Sequence, residues 1–251
     1  MKLIALTENT TCRSDLTCEH GLSLYIETGD HKILFDMGQS GAFAENAQKL
    51  ELNLSAVDFA VLSHGHYDHG GGIPRFLEIN RQAPVYVNHH AFEGHFNAAG
   101  KDIGLDRSIP KQRLIFTGNS TDLAPGILLQ TVPFLPADTA GMTIDGGYPE
   151  DFRHEQYLLV EENGKRILFS GCSHKGIVAI AEYFRPDILV GGFHFMKTED
   201  PAILRSAAQA LLALDCEYYT GHCTGQKQYA FLKAIMGSRL HSLSTGSVLE
   251  L

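Results

Sequence analysis

Four side chains that can bind metal stand together after a short apolar run, and this motif constrains the chain more than any other feature. The sequence LSHGHYDHGGG places His64, His66, Asp68 and His69 in an H-x-H-x-D-H pattern. Roughly two sequences per thousand of this kind would contain the pattern by chance. His64 and His66 leave a strand end on one side and can bind one metal ion, while Asp68 and His69 lie beyond the turn and can reach a second. The alternative is a polar surface loop whose histidines have no role.

Histidines are also unusually frequent in the rest of the chain. The 251 residues include 13 histidines, which is about twice the usual share. Three of them, His174, His194 and His222, close strand-like runs and have a glycine within three residues. We expect His174 and His222 to bind metal at the same rim of the fold, and His194 to be a ligand, a catalytic acid or base, or a structural residue. Nitrogen and oxygen ligands favour zinc, although the same set would accept manganese or iron.

Several residues near these histidines have two interpretations each. Cys172 is either a metal-binding thiolate or a small buried apolar residue, and His154 has a similar ambiguity. Asp36 ends a strand, where its carboxylate can either fix the tautomer of a ligating histidine or cap a turn. No role is assigned to His89, His90 and His95, and surface positions are expected for His20, His31 and His241.

Charge and composition argue against several classes of partner. The formal charge is -9 at pH 7, from 29 acidic and 20 basic residues, so nucleic-acid binding would require a basic patch that the sequence lacks. The apolar stretches are far shorter than a membrane span. Five irregularly spaced cysteines indicate free thiols in a reducing cytoplasm. We expect a cytoplasmic protein with neither a nucleic-acid nor a membrane partner; a homo-oligomer is compatible with the sequence.

The order of predicted elements indicates an α/β fold made of two similar halves. Residues 22–35 predict a strand hairpin followed by a helix from Gly41, and residues 59–63 predict a strand that leads into a helix at Pro74. A second hairpin at 157–169 shares the ILF ending of the first. Helices from Gly176, Pro201 and Gln226 then alternate with strands at 188–190, around Tyr218 and near Ser247. Two such halves predict a four-layer αβ/βα sandwich of two mixed sheets.

A segment between the halves, 93–153, has little periodicity. It is rich in glycine, proline and aspartate, apart from the strand-like run ILLQTVPF at 127–134. A segment of this length inside a compact domain is more often a substrate-shaping insertion than a linker. We therefore predict one domain over residues 1–251 with an insertion at about 93–153.

The first motif, together with the order of elements, resembles the metallo-β-lactamase superfamily. Within it, the segments EHGLSLYIE, FDMGQS, FSGCSHKGI, GGFHF and GHCTG resemble the subgroup named after the dihydropterin-(ribofuranosyl)aminobenzene-phosphate synthase of methanopterin biosynthesis. The resemblance runs from about Glu19 to Gly225 and is silent over 93–153. It implies that His64 and His66 bind a first metal, and that a second is bound by Asp68, His69 and His222.

Two superfamily positions differ in this chain. Superfamily members usually add a histidine before the second-half hairpin and an aspartate at its end, and here His154 and Cys172 occupy these places. His174 lies just beyond, and we favour it as the further ligand because the GCSH run marks the subgroup. Histidine at position 66, where redox di-iron members carry glutamate, argues against an oxygen-reducing flavodiiron role.

We therefore expect an enzyme with two divalent metal ions, most simply zinc, that acts on a small anionic substrate. Two ions about 3.5–4 Å apart lower the pKa of a shared water to about 7 and hold phosphoryl or acyl oxygens. The reaction would be hydrolysis or a diphosphate-releasing transfer on a phosphorylated or pterin-like molecule. The alternatives are a phosphodiesterase or lactonase of the same fold, and a non-catalytic metal- or ligand-binding regulatory module.

The remaining site predictions concern catalysis and substrate. His194 can protonate a leaving group, and Asp36 and Asp68 are further catalytic candidates. A positive charge or a free backbone N–H at a helix start suits an anion. The residues that offer one of these features are Lys175, Lys197 and Thr224.

Overall fold

Apolar side chains that repeat with strand and helix periods fold into elements that alternate through both halves of the chain. The structure, a computed structural model, describes residues 1–136 and 139–251. The strands are β1 (Lys2–Thr7), β2 (Ser23–Glu27), β3 (Lys32–Phe35), β4 (Phe59–Val61), β5 (Val85–Asn88), β6 (His95–Phe96), β7 (Leu114–Thr117), β8 (Ser120–Ala124), β9 (Ile127–Gln130), β10 (Thr143–Ile144), β11 (Tyr157–Glu162), β12 (Lys165–Phe169), β13 (Ile188–Val190), β14 (Glu217–Thr220), β15 (Leu240–Ser242) and β16 (Val248–Glu250). The helices are α1 (Ala42–Lys49), α2 (Tyr67–Gly70), α3 (Ile73–Ile79), α4 (Ile177–Phe184), α5 (Pro201–Leu212) and α6 (Gln226–Met236).

Both halves build a mixed sheet in the same way. Within the described residues there are two seven-stranded sheets, in the orders β16-β1-β2-β3-β4-β5-β7 and β15-β14-β13-β12-β11-β9-β8. In the first, the antiparallel hairpin β2–β3 is followed by β4, which lies parallel to β3. In the second, the hairpin β11–β12 is followed by β13, parallel to β12. The predicted pair of hairpins and their repeated surroundings are thus present.

The apolar core lies in three layers that separate four layers of backbone. The middle layer joins the inner faces of the two sheets, where the rings of Phe35 and Phe169 lie 5.9 Å apart between centroids. These two residues end the two ILF runs. A second layer packs α1 and α3 on the outer face of the first sheet, and a third packs α4, α5 and α6 on the other sheet. The predicted four-layer αβ/βα sandwich is confirmed.

Parallel strands place several polar residues at one rim of the sandwich. Asp36 follows β3, His64 comes shortly after β4, and His174, His194 and His222 come after β12, β13 and β14. Carboxyl ends of parallel strands face the same edge of a sheet, which is where open α/β folds bind ligands. Three of these residues turn sharply, because Asp36, His194 and His222 have left-handed φ values of 58°, 55° and 47°.

The segment 93–153 is partly built into the sheets. Its strand β7 forms the edge of the first sheet, and β8 and β9 extend the second; the sequence indicated only β9. The rest carries the short pair β6–β10. Residues 137 and 138 of this segment lie outside the described residues, and its role as a substrate-shaping insertion in one domain stays a prediction. In the part of the chain that the structure describes, the helices are too short or too polar to cross a membrane.

Candidate metal centre

Side chains that can bind metal converge at the rim where the strands end. Among the described residues, five trios have their ligand atoms within 4.8 Å of one another. The structure therefore brings together every metal ligand predicted from the sequence, and adds His20, His95 and Cys223. The five trios are His64–Cys172–His174, His69–Cys172–His222, His20–Asp68–His222, His66–His95–His154 and Cys172–His194–Cys223.

The trio around His69 has the dimensions of a metal site. His69 Nε2 lies 3.1 Å from His222 Nε2 and 3.3 Å from Cys172 Sγ. Asp68 Oδ2 lies 3.4 Å from His222 Nε2 and 3.9 Å from His69 Nε2. Ligands around a tetrahedral ion with bonds of 2.0–2.3 Å are separated by about 3.3–3.8 Å. The donor set and its spacing therefore fit a divalent cation.

Buried ring nitrogens without hydrogen-bond partners mark a second candidate metal position beside the trio around His69. His64 Nε2, His66 Nε2 and both ring nitrogens of His174 are buried without a hydrogen-bond partner in the described chain. A buried polar atom without a partner costs about 1–3 kcal/mol, whereas a metal ion would use its lone pair. Burial lowers the pKa of His66 to about 3, and burial together with neighbouring imidazoles holds the pKa of His64 and His174 well below the usual value. These histidines are thus neutral, the form that binds metal.

Asp36 contacts His69 directly and is linked to His64 through Ser63. Its Oδ2 accepts the Nδ1–H of His69 at 2.7 Å and the hydroxyl of Ser63 at 2.7 Å, while its Oδ1 accepts the Ser63 N–H. Ser63 Oγ lies 2.8 Å from His64 Nδ1. Hydrogen bonds at Nδ1 leave Nε2 of each ring to face the centre. The side chain is placed as a residue that fixes tautomers, and its role stays a prediction.

His222 is held by the other end of the chain. Its Nδ1 lies 2.9 Å from Asn9 Oδ1, and its backbone N–H donates to the buried carboxylate of Glu8. Both partners follow β1, which is separated from β14 by most of the sequence. Sequence reasoning missed them because neither belongs to a motif.

His20 was expected on the surface, and its side chain is 45% exposed. Its Nε2 nevertheless lies 3.2 Å from Asp68 Oδ2, and its ring lies 4.9 Å from that of His222. The hydrogen bond with Asp68 raises the pKa of His20. A signal existed in the sequence: His20 directly precedes the first hairpin, so it lies at the same end of the sheet as Asp36.

The segment 93–153 contributes a buried histidine, His95, to which the sequence assigned no role. The ring centroids of His95 and His154 lie 3.9 Å apart. His95 Nδ1 lies 2.7 Å from Glu150 Oε2, and His154 Nδ1 accepts the N–H of Gly65 at 2.8 Å. No local pattern marks His95, because it reaches the site only through the folding of a long irregular segment.

The turn after β12 is fixed by a buried carboxylate. Glu155 accepts the backbone N–H groups of His174 at 2.7 Å and Lys175 at 3.1 Å, and also the hydroxyl of Tyr157. Burial raises the pKa of Glu155. The ring of His174 stacks on Phe152 with centroids 4.3 Å apart. Glu155, which lies just before β11, therefore holds the GCSH turn in place. The sequence did not indicate this contact.

The predicted substrate residues differ in how accessible they are. Lys175 is buried and its Nζ donates to the Val132 carbonyl at 3.2 Å, while Lys197 is exposed. Thr224 is fully buried: its N–H donates to Gly221 O, and its hydroxyl accepts the N–H of Phe193. Thr224 therefore offers no free backbone donor to a substrate.

His194 lies at the edge of the centre. Its ring is 4.2 Å from that of His174, and its Nδ1 has no hydrogen-bond partner within the described ranges. It is more exposed than the buried histidines beside it. This position allows contact both with the centre and with a molecule entering from solvent.

Comparisons with known proteins identify the family of this fold. A synthase of Methanocaldococcus jannaschii, the 7,8-dihydropterin-6-methyl-4-(beta-D-ribofuranosyl)-aminobenzene-5'-phosphate synthase, is 29% identical over 264 residues, covering 90% of this chain and 88% of the relative. An uncharacterised protein of the same organism is 27% identical over 246 residues, covering 90% and 91%. The crystal structure of a metal-dependent hydrolase of the beta-lactamase superfamily matches with a TM-score of 0.84 and 26% identity, covering 100% of this chain and 99% of that one. A family model for the metallo-beta-lactamase superfamily matches residues 16–222, and the chain belongs to that superfamily.

Proposed function

We propose that the chain is an enzyme that uses two adjacent divalent cations to act on a small phosphorylated or pterin-like molecule. The observation that carries the proposal is the place of Cys172. Its sulfur belongs both to the trio with His64 and His174 and to the trio with His69 and His222. A thiolate in that position can contact two ions at once, as a shared ligand must.

The two ligand sets follow from the trios and from the spacing of the motif. His64, His66 and His174 would hold one cation. Asp68, His69 and His222 would hold the other, and Cys172 would be available to both. Zinc suits this mixture of imidazole, carboxylate and thiolate. Manganese prefers oxygen ligands, and iron also binds imidazole.

The chemistry combines the cations with residues of the chain. Bound divalent ions supply Lewis acidity and a water of lowered pKa. His194, at the solvent side, would exchange a proton with a leaving group. Lys197 adds exposed positive charge near an entering anion, and the buried ammonium of Lys175 would have to leave the Val132 carbonyl to do so.

The substrate class is supported by the relative whose name describes synthesis of a pterin-linked aminobenzene phosphate. A phosphorylated or diphosphorylated group is a ligand that paired cations hold well. The proposed reaction is therefore hydrolysis or diphosphate-releasing transfer. A phosphodiesterase or a lactonase of the same fold, and a non-catalytic metal-binding regulatory module, are the competing functions.

Metal content tests the proposal directly. Protein purified without chelator and then supplied with zinc or manganese is analysed for metal per chain, as wild type and as His64→Ala, His174→Ala and His222→Ala. We expect close to two metals per wild-type chain and a loss in each variant. His31→Ala is the matched control, since His31 lies in the turn between β2 and β3, away from the rim. Wild-type protein that takes up no metal would contradict the proposal.

Turnover separates the functions. The metal-loaded protein is assayed with bis(p-nitrophenyl) phosphate, an acyl homoserine lactone, and a dihydropterin methyl diphosphate with an aminobenzene acceptor. Formation of the pterin–aminobenzene conjugate together with diphosphate in the third assay supports the transferase, and pterin alcohol without the conjugate supports the hydrolase. Turnover only of the phosphodiester or the lactone favours the competing enzymes, and full metal content without turnover favours the regulatory module.

A further inference from the structure

A third group of histidines lies beside the two proposed cation positions. His66, His95 and His154 have ligand atoms within 4.8 Å of one another, and all three side chains are buried. The Nε2 atom of each has no hydrogen-bond partner in residues 1–136 and 139–251. Three buried nitrogens without partners in one cluster of histidines call for a bound group, because each would otherwise lose the hydrogen bond it makes in water.

The backbone fixes His95 in this group without any metal. The N–H of Ile103 donates to the His95 carbonyl at 2.7 Å, and the N–H of Tyr67 donates to the Ile103 carbonyl at 3.0 Å. The chain just before His95 also approaches the motif closely, and residue 65 must be glycine there, since a Cβ would lie 2.2 Å from the Ala91 carbonyl oxygen. The segment that carries His95 is therefore hydrogen-bonded directly to the metal-binding motif.

His95 has the hydrogen bonds of a metal ligand. Its Nδ1 lies 2.7 Å from the Glu150 carboxylate, which can only accept, so Nδ1 carries the proton. Glu150 is itself buried, and its other oxygen accepts the Phe152 N–H at 2.9 Å. A neutral imidazole with a protonated Nδ1 leaves a lone pair on Nε2. Histidines that bind metal in proteins commonly donate their other N–H to a carboxylate in this way.

His154 has the opposite arrangement. The backbone N–H of Gly65 donates to its Nδ1 at 2.8 Å, so the lone pair of Nδ1 is already used. A neutral imidazole then carries its proton on Nε2, which cannot bind a cation. Its Nε2 lies 3.7 Å from Glu150 Oε1, too far for a hydrogen bond. The Nε2–H of His154 is a donor without an acceptor among the residues described.

We infer that His95, and not His154, joins His66 as a ligand of the cation proposed for His64, His66 and His174. His154 would instead donate its Nε2–H to another group held at that cation. The 93–153 segment thus supplies a metal ligand, His95. His154, at the position where superfamily members usually have a ligand histidine, binds no metal. The inference rests on the proposed function, since it requires that the protein bind metal.

Metal affinity of matched variants tests the inference. Wild type, His95→Ala, Glu150→Gln and His154→Gln are titrated with Co²⁺ against a competing chelator, and the visible absorption of bound Co²⁺ reports the ligands. We expect His95→Ala to lower the affinity of one Co²⁺ by about tenfold or more and to change the spectrum. Glu150→Gln should lower it by about 10–100-fold while preserving the shape of the side chain. His154→Gln keeps an N–H donor and should keep the wild-type affinity and spectrum.

Controls separate this inference from the proposed function. His89→Ala changes an exposed histidine of the same region that stacks on Phe116, and should bind as wild type does. Circular dichroism of the metal-free variants checks folding, and Glu150→Gln serves if His95→Ala does not fold. Wild-type protein without metal would overturn the proposed function and this inference together. Metal-binding wild type with an unchanged His95→Ala, or with a His154→Gln that loses Co²⁺ to the same extent, would overturn this inference alone.

Discussion

At the scale of single residues, the centre depends on side chains that direct the ligands. Asp36 has a left-handed φ of 58°, a conformation that aspartate adopts more readily than most residues other than glycine. Its carboxylate lies between His69 and Ser63, and Ser63 in turn contacts His64. One aspartate thus sets the orientation of histidines in both proposed positions.

We predict that Asp36→Asn weakens metal binding about 10–100-fold. An amide has one oxygen and one NH2 group, so either the Ser63 N–H, or the Ser63 hydroxyl and the His69 Nδ1–H, would face a donor in place of an acceptor. The same mismatch should lower the free energy of unfolding of the metal-free protein by about 1–3 kcal/mol. Competition with a chelator measures the first effect and urea unfolding the second. Asp30→Asn, in an exposed turn, is the control, and wild-type affinity in Asp36→Asn would show that the carboxylate does not direct the ligands.

At the scale of elements, the centre forms where strand ends from the two sheets meet. Gly171 follows β12 of the second sheet, and Ser63 follows β4 of the first. A Cβ at position 171 would lie 2.2 Å from Ser63 Oγ and 2.9 Å from His64 Nδ1. The absence of a side chain at Gly171 is therefore what allows Cys172 and His64 to share a trio.

We predict that Gly171→Ala separates these strand ends. Overpacking of this kind costs about 1–3 kcal/mol of unfolding free energy, and Ser63 should be displaced from His64. Metal per chain should fall together with stability. Gly118→Ala is the matched control, since a Cβ there has nothing within 4 Å. Equal metal content in the two variants would mean that the strand ends can relax without disturbing the ligands.

At the scale of the whole molecule, the fold collects many titratable imidazoles in one buried region. Burial is the main cause that lowers the pKa of His64, His66, His154 and His174, and neighbouring imidazoles lower it further, although Asp68 partly offsets this in His66. In His69 burial acts in the same direction, but Asp36 and Asp68 outweigh it and raise the pKa to about 9. The metal-free protein therefore contains histidines whose pKa is lowered and one whose pKa is raised. The pH decides which of these shifts affects the free energy of unfolding.

We predict that the metal-free protein loses stability as the pH falls below about 6.5. The four histidines of lowered pKa bind protons more weakly in the folded than in the unfolded chain, so the unfolded state takes up more protons in this range. The stabilisation from His69 is nearly complete at pH 6.5, so its further gain at lower pH offsets little of the loss. Urea unfolding with chelator at pH 7 and pH 5 measures the change, which should be smaller in His66→Gln. Stability that is equal or greater at pH 5 would contradict the assigned shifts.

The sequence alone determined the strand hairpins, most helices and the H-x-H-x-D-H motif, because periodicity and close spacing are local properties. It also indicated that His174, His194 and His222 end strands, since an apolar run precedes each. It did not indicate the edge strands β7, β8 and β15, whose patterns are short or mixed.

The tertiary structure decided which distant residues join the centre. Glu8, Asn9, His20 and His95 reach it from β1, from the start of the first hairpin and from an irregular segment, and Thr224 turns its polar groups into the fold instead. The physical reason is that two sheets packing through Phe35 and Phe169 bring one rim of each together. Residues at that rim become neighbours through this packing, and nothing in their local sequence specifies it.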